Sequence, residues 1–528
     1  MAVPFLAAAG FWLAVAALAV LPAAAMAQPV ARAEDGRLGI TPEVMVWDET
    51  AQRHRVAVVP DPDAARRPVI DPEATGPAAR LLRGWAADGG VAGLAGVLYD
   101  NRDRGHSRLA PGRFPQIVHL DYGAELAARQ ADVGLAGPLL FDAPVIGNSS
   151  TAITAGVQAR SLPRLAMTAT DGPARAAQTA LAGHLYVYPA HRDVTDAHDR
   201  LPANWALAIH SRGSSYSDMP FVEAAALALA AMTPETRAAV EGAGLLVPTL
   251  QMLLRRSMAD IVTDEAYLTG RAHPSAFDRD RLRPERMMAL ARSLTPRTLP
   301  PQVFLRVVDE DFLPEAGLLG RSERLYDTPG AVARLWREPD GRRRMVVQAA
   351  ASPARVERFD WAVLRGDPEA VRIRPLDPRG RAAEIVIDWH DPAARPMPGQ
   401  PPAARIEIGV FAWNGTLHGA PAFLTVALPA HQVRRYAPGP DGAPRVVEID
   451  HDAAGRGAWL DPVLDYSAPW RDRFIHDAAG RPAGWERVMA DGTVLSFDAE
   501  GRLPDGSRPV HRLDAEGVAL PVVRMVGD

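Results

Sequence analysis

The sequence contains neither cysteine nor lysine, so its 58 basic residues are all arginine. These two absences exclude whole reaction classes that depend on a thiolate or an amine. A Schiff base with pyridoxal phosphate, a P-loop lysine and a serine-lysine dyad are ruled out, as are cysteine nucleophiles, zinc-thiolate centres and iron-sulfur clusters. With no disulfide staples, each domain must be stable through its own packing. An excess of positive charge is also missing. The 63 acidic residues outnumber the arginines, and a net charge of −5 gives no electrostatic reason to expect nucleic acid or an anionic membrane surface as a partner. No glycine-rich nucleotide fingerprint occurs, and no cofactor is identified from motifs.

What is present begins with an address label. The first 27 residues carry no charged side chain, and an apolar core from Phe5 to Leu21 is followed by small residues at Ala25 and Ala27. This is the secretory pattern, with cleavage expected before Gln28 and a periplasmic or secreted location. No arginine precedes the apolar core, so an uncleaved anchor is the alternative, and it would be the chain's one contact with a membrane.

About 500 residues follow, too many for one hydrophobic core, and the size prior suggests roughly three domains. Residues 28–84 are proline-rich and weakly periodic, and they read as an extended arm. From 85 to 337, β-like runs at Gly93–Tyr99, Ile117–Leu120, Leu139–Ile146, His184–Tyr188 and Trp205–His210 alternate with helix-capable stretches, which predicts an α/β domain. The best-marked helix starts near Asp218 with Pro220 in its first turn, and the next starts at Thr233-Pro234. After a linker at 338–341 the pattern changes to six short strands, several strictly alternating, as in Arg405-Ile406-Glu407-Ile408. This predicts an Ig-like β-sandwich over 338–430, with Asn414-Gly415 as a hairpin turn.

Residues 431–528 contain an irregular repeat with Asp-x-x-Gly at Asp452, Asp477, Asp498 and Asp514, at intervals of 25, 21 and 16 residues. Aspartate bonding forward and glycine at positive φ are what a tight turn between strands requires, so the tail predicts a β-meander. These copies resemble the YD repeats of Rhs-type surface proteins, which build β-strips.

Polar residues gather just after the predicted strands, where open α/β sheets place their sites. Asp100 to Ser107 offers Asp100 or Asp103 as acid or base, with Arg102 holding an anionic group and His106 beside it; a charged surface loop explains the same residues. Asn148 and Ser149 follow the next strand, as an anion cradle or an ordinary helix cap. The stretch from His184 to Asp199, including His191 and Asp193, has the residue types for a divalent metal but no fixed-face ligand spacing. His210, Arg212, Ser214, Ser215 and Asp218 form a hydroxyl-rich turn aimed at a helix N-terminus, without the G-x-S-x-G pattern of nucleophile elbows.

Taken in order, NRDRGHS at 101–107, GNSSTA at 147–152, RSLPR at 160–164, YPAH at 188–191, the GSSYSD loop and WAVLRGDP at 361–368 resemble a group of large exported bacterial proteins with an Ig/PKD-like sandwich. The resemblance implies architecture and location, and no activity. Two functions follow as expectations. The first is an exported hydrolase acting on an extracytoplasmic polymer, with carbohydrate preferred, through paired carboxylates among Asp100, Asp103, Asp193 and Asp218. In its variant Ser214 or Ser215 works with His210, and in both Arg102, His106, Asn148, Ser149 and Arg212 position substrate. The second is a non-catalytic surface or periplasmic protein that binds a glycan or peptide.

Overall fold

The computed structural model describes residues 29–129, 131–132, 139–149, 172–190, 204, 206–213, 215–312, 322–336, 341–353, 355–390, 405–428, 433–440, 442, 444–450, 470–489, 491–499, 502–510 and 523–525. Within these the chain is rich in strand, arranged in several sheets. The leader, His191, Asp193, Ser214 and the Asp-x-x-Gly copies at Asp452 and Asp514 lie outside the described residues.

The first half runs β1 (Val30–Arg32), β2 (Arg37–Ile40), β3 (Val46–Asp48), β4 (Arg53–Val59), α1 (Pro77–Ala87), β5 (Leu98–Asn101), β6 (Val118–Tyr122), α2 (Ala124–Ala128), β7 (Leu140–Phe141), β8 (Val145–Asn148), α3 (Gly172–Leu181), β9 (His184–Ala190) and β10 (Ile209–Arg212). Five helices follow: α4 (Met219–Ala231), α5 (Pro234–Gly242), α6 (Leu246–Arg256), α7 (Asp264–Tyr267) and α8 (Pro284–Ser293). Six strands form one sheet in the order β10-β9-β8-β5-β6-β2, and every pairing in it is parallel. From β5 the chain crosses to β6 on one side, then returns to β8 on the other. The order therefore reverses at β5, which lies between β6 and β8.

Sequence chemistry explains the elements around that point. The α4 segment is apolar on nearly every side, and its residues from Phe221 to Ala231 are buried apart from Glu223, so the helix runs through the core. It packs on β8 and β9 and against α1, α6 and α8. Burial of each large side chain such as Phe221 or Leu229 contributes roughly 2 kcal/mol. Thr233 caps α5 by accepting a hydrogen bond from the Thr236 N–H at 3.2 Å, with Pro234 at the first helical position.

Residues 29–84, read as an arm from their weak periodicity, are woven into the sheets. β2 forms the edge of the parallel sheet beside β6, burying Leu38 and Ile40, and β4 pairs with β1, β3 and β7. The sandwich consists of β11 (Gln302–Glu310), β12 (Ser322–Thr328), β13 (Ala331–Trp336), β14 (Arg342–Ser352), β15 (Arg358–Arg365), β16 (Val371–Pro375), β17 (Ala382–Asp388), β18 (Arg405–Trp413) and β19 (Ala422–Ala427). Its sheets have the orders β11-β14-β17-β16 and β12-β13-β19-β18-β15. Ile385, Ile387, Ile408, Val410 and Leu424 fill the space between them. The sandwich thus begins at Gln302, because β11 and β13 pair with β14 and β19, and the boundary read at 337/338 falls inside it.

β20 (Val433–Pro438), β21 (Pro444–Asp450), β22 (Trp470–His476), β23 (Pro482–Met489) and β24 (Val494–Asp498) form an antiparallel meander. The Asp-x-x-Gly copy at Asp477 is the turn between β22 and β23. The Asp477 carboxylate accepts from the Arg481 N–H at 2.8 Å, Gly480 sits at φ 74°, and Asp498 accepts likewise from Arg502 at 2.8 Å.

Candidate functional site

The loop after β5 is shaped by one side chain. The Asn101 carboxamide oxygen accepts from the backbone N–H groups of Asp103 at 3.0 Å and Gly105 at 3.2 Å, while its nitrogen donates to the His106 carbonyl at 2.8 Å. This folds residues 101–107 back on themselves and brings the Asp103 carboxylate to 2.9 Å from Nδ1 of His106. A carboxylate only accepts, so Nδ1 is the donor, and in the neutral ring Nε2 presents its lone pair. The His106 side chain is 46% exposed and that of Asp103 is 14% exposed, which leaves the imidazole accessible and its partner sheltered.

A second loop, between β10 and α4, closes on the first. The Tyr216 N–H donates to Oγ of Ser107 at 2.9 Å, and the Tyr216 ring lies against the His106 ring at 5.2 Å. Arg104, Ser107 and Tyr216 all hold positive φ, at 51°, 52° and 67°. Such backbone conformations are costly for side-chain-bearing residues and concentrate at functional sites. Gly213 takes φ 136°, where a Cβ would meet that of Ser217 at 2.8 Å.

Beneath these loops lies a sealed polar layer. Asn148, at the end of β8, donates to the Ser107 carbonyl at 2.8 Å and to Oδ2 of Asp218 at 2.6 Å, and accepts from the Tyr99 hydroxyl at 2.6 Å. Burial raises the Asp218 carboxyl above the usual carboxylate range, the Asn148 bond opposes this, and the nearby charge of Asp103 reinforces it. Burial also pushes the Tyr99 hydroxyl up to about 12. Asp100 accepts from Nε of Arg102 at 2.6 Å, from the Tyr186 hydroxyl at 2.5 Å and from the Tyr122 hydroxyl at 3.0 Å. Burial opposes the Arg102 charge, yet Asp100 beside it holds the guanidinium well above its ordinary range. Gly147 makes this packing feasible, since a Cβ there would lie 2.4 Å from Cε1 of Tyr186 and 2.7 Å from the Asp100 carbonyl oxygen.

The structure thus brings together Asp100, Arg102, Asp103, His106, Asn148 and Asp218, and it divides their roles. Asp100, Arg102, Asn148, Ser149 and Asp218 have no exposure, so the roles read for them, acid-base work at Asp100 and Asp218 and substrate contact at Arg102, Asn148 and Ser149, are replaced by internal bonding. Ser149, for instance, donates to the Arg102 carbonyl at 2.8 Å. His210 lies inside β10 with its ring 6.2 Å from that of Tyr188, and at 2% exposure it faces the core rather than the serine loop. Ser215 is half-buried, and Arg212 is exposed at 3.6 Å from Asp278. Sequence reasoning missed Asn101, although Asn followed two residues later by Asp is a turn signal, and it missed Tyr99, Tyr122 and Tyr186, whose strand pattern only announced burial. Among the described residues no cluster of three or more histidines and carboxylates could hold a metal, and the stretch from 191 to 199 lies outside them. Among them, too, no helix is long and apolar enough to cross a membrane.

No protein-family model and no curated protein matches this sequence. Among solved structures, the chain is similar to the SrpA adhesin of Streptococcus sanguinis, at 13% identity and a TM-score of 0.15, over 40% of this chain and 95% of that one. A point mutant of the same adhesin gives 11% identity and a TM-score of 0.15, over 39% of this chain and 96% of that one. The tandem Ig repeats of Dlar give 11% identity and a TM-score of 0.13, over 38% of this chain and 98% of that one.

Proposed function

We propose that this protein is an exported hydrolase of an extracytoplasmic polymer, with His106 as its general base and Asp103 as the residue that orients it. In this reading the parallel-sheet unit is an α/β catalytic domain, and the Ig-like sandwich and repeat-bearing tail are accessory to it. The observation that carries the reading is the 2.9 Å bond between the sheltered Asp103 carboxylate and the accessible His106 ring, at the carboxyl edge of a parallel sheet and beside its switch point. Nε2 takes a proton from water, or from a hydroxyl held against it, as that oxygen attacks the scissile bond. Asp103 then stabilises the imidazolium, which returns the proton to the leaving group.

The test is a screen of the mature protein against polysaccharides and chromogenic esters. Turnover is expected, with His106→Ala lowering kcat by roughly 10²- to 10⁴-fold and Asp103→Asn by less. Flat activity in the unaltered protein, or equal rates in the two variants and the parent, overturns the reading.

One observation favours a second reading. Asp100 and Asp218, two of the carboxylates expected to share the chemistry, are sealed from solvent. A protein that binds a glycan or peptide against the exposed 101–107 loop needs neither. Binding of polymer without any turnover in the screen selects that reading.

A further inference from the structure

The carboxyl ends of β5 and β6 border a surface depression of about 630 Å³, lined also by Ala127 and Ala128 of α2. This size falls within the range of small-molecule sites. Arg104 and Arg108 line it from the loop after β5, with side chains 60% and 38% exposed, and neither guanidinium makes a hydrogen bond among the described residues. Arg104 comes no nearer to Asp132 than 3.9 Å, and Arg108 no nearer to Asp121 than 3.8 Å. At those distances charges attract, but donors stay unengaged. Three residues with positive φ, Arg104, Gly105 and Ser107, fold the loop so that both arginines reach the same depression.

Asp121 does not use up the charge of Arg108, because Arg37 already donates to its Oδ2 at 2.6 Å. Three guanidiniums, those of Arg37, Arg104 and Arg108, thus face the two carboxylates of Asp121 and Asp132, and one positive charge is left over. His119 adds nothing to this balance. Its ring is sealed in the wall at 2% exposure, and burial, with Arg108 and Arg37 adding to it, holds its pKa down to about 4. Free donors and surplus positive charge therefore coincide at the two arginines.

From the two unengaged guanidiniums, the local surplus of positive charge and a space larger than a bare ion fills, we infer that this depression binds the carboxylate of an acidic sugar, a uronate unit of an anionic polysaccharide. A guanidinium presents paired donors that match the two oxygens of a carboxylate. The half-buried Tyr122 ring, with Ala127 and Ala128, supplies apolar surface for the C–H face of the sugar. Arg104 belongs to the same loop as His106, which sets the bound unit beside the proposed base. The inference rests on the hydrolase reading only in taking that polysaccharide as the polymer that is cut.

The experiment reads binding rather than turnover, so failure of the catalytic reading leaves it separately testable. The mature protein is titrated calorimetrically at low salt with hexagalacturonate and hexamannuronate, with neutral maltohexaose and the cationic chitosan hexamer as counterparts, and with inorganic phosphate as a bare oxyanion. At least one uronate hexamer is expected to bind more tightly than the three other ligands, and to lose affinity as salt is raised. Arg104→Gln and Arg108→Gln should each weaken it by about tenfold, and the double variant should abolish it. Asp132→Asn takes a negative charge out of the lining and should tighten binding, a gain that a misfolded variant cannot give. Arg355→Gln, at an exposed position of the sandwich, makes the same change in net charge as Arg108→Gln and should leave binding unaltered. No binding of either uronate at millimolar concentration, binding of the neutral, cationic or bare-ion ligand that equals it, weaker binding by Asp132→Asn, or equal losses in Arg355→Gln and Arg108→Gln overturns the inference.

Discussion

At the scale of single residues, the most consequential placement is Arg102 within the sheet's carboxyl edge. Asp100 and Arg102 alternate along the chain, and alternate residues of extended chain share a face, so the pair was adjacent in the sequence itself. Its burial was not legible there. Tyr122 and Tyr186 come from β6 and β9, and their rings flank the guanidinium at 6.0 and 5.5 Å. Substituting Arg102→Met leaves Asp100 as an uncompensated buried charge and should cost about 3 to 5 kcal/mol, read as a lowered urea midpoint. The double variant Asp100→Asn with Arg102→Met removes both charges and should recover most of that loss. Equal destabilisation in the single and double variants would show that the pair is not the source. His106 differs because it lies past the strand end, where the chain turns outward, and so an accessible imidazole and a sealed ion pair arise within seven residues of sequence.

At the scale of elements, local chemistry was read well and pairing was not. The start of α4 with Pro220 in its first turn, the Thr233-capped start of α5 and the Asp477 turn all follow from rules that operate over four or five residues. Thr233→Ala should accordingly cost about 1 kcal/mol in thermal unfolding, with no change in the 101–107 loop. A neutral result would mean that the Thr236 N–H finds another acceptor. The strict alternation of Arg405-Ile406-Glu407-Ile408 led to the opposite outcome. In a two-layer sandwich its polar face would meet water, yet Arg405 and Glu407 are 4% and 1% exposed. The reason lies outside the element. The sheet of β18 and β19 is covered on its second face by the helical region, where Phe411 and Phe423 join the core of the first half. Arg405 and Arg365 are accommodated there by Glu407, at 2.7 and 3.5 Å.

At the scale of the whole molecule, that covered face holds the sandwich to the helices. His273 is fully buried with its ring against those of Tyr267 and Phe411, and burial holds it well below the ordinary histidine range. His418 bridges the same interface, 2.5 Å from Asp264 and 2.7 Å from Asp360. Burial alone would raise both carboxylates, but Arg256 and His418 hold Asp264 low, and His418 and Arg358 hold Asp360 low. His119 and His184 are likewise buried, each with a pKa of about 4. In the unfolded chain these imidazoles take a proton near pH 6.5, and in the fold they resist it, so their contribution is complete above that pH and declines as pH falls toward 4. The loss is on the order of 3 kcal/mol for each of His119 and His184. The depressed carboxylates act in the same direction at still lower pH. Thermal melts should therefore fall steeply between about pH 6.5 and pH 4, and a flat profile over that window would contradict these environments. What the sequence by itself determined are the consequences of composition and of short-range bonding: no thiolate or amine chemistry, no disulfides, helix starts, and turns built on aspartate and glycine. Only the tertiary structure decided which polar residues face solvent and which are sealed, because burial depends on neighbours such as Tyr186, Phe411 and Asp264 that lie tens to hundreds of residues away along the chain.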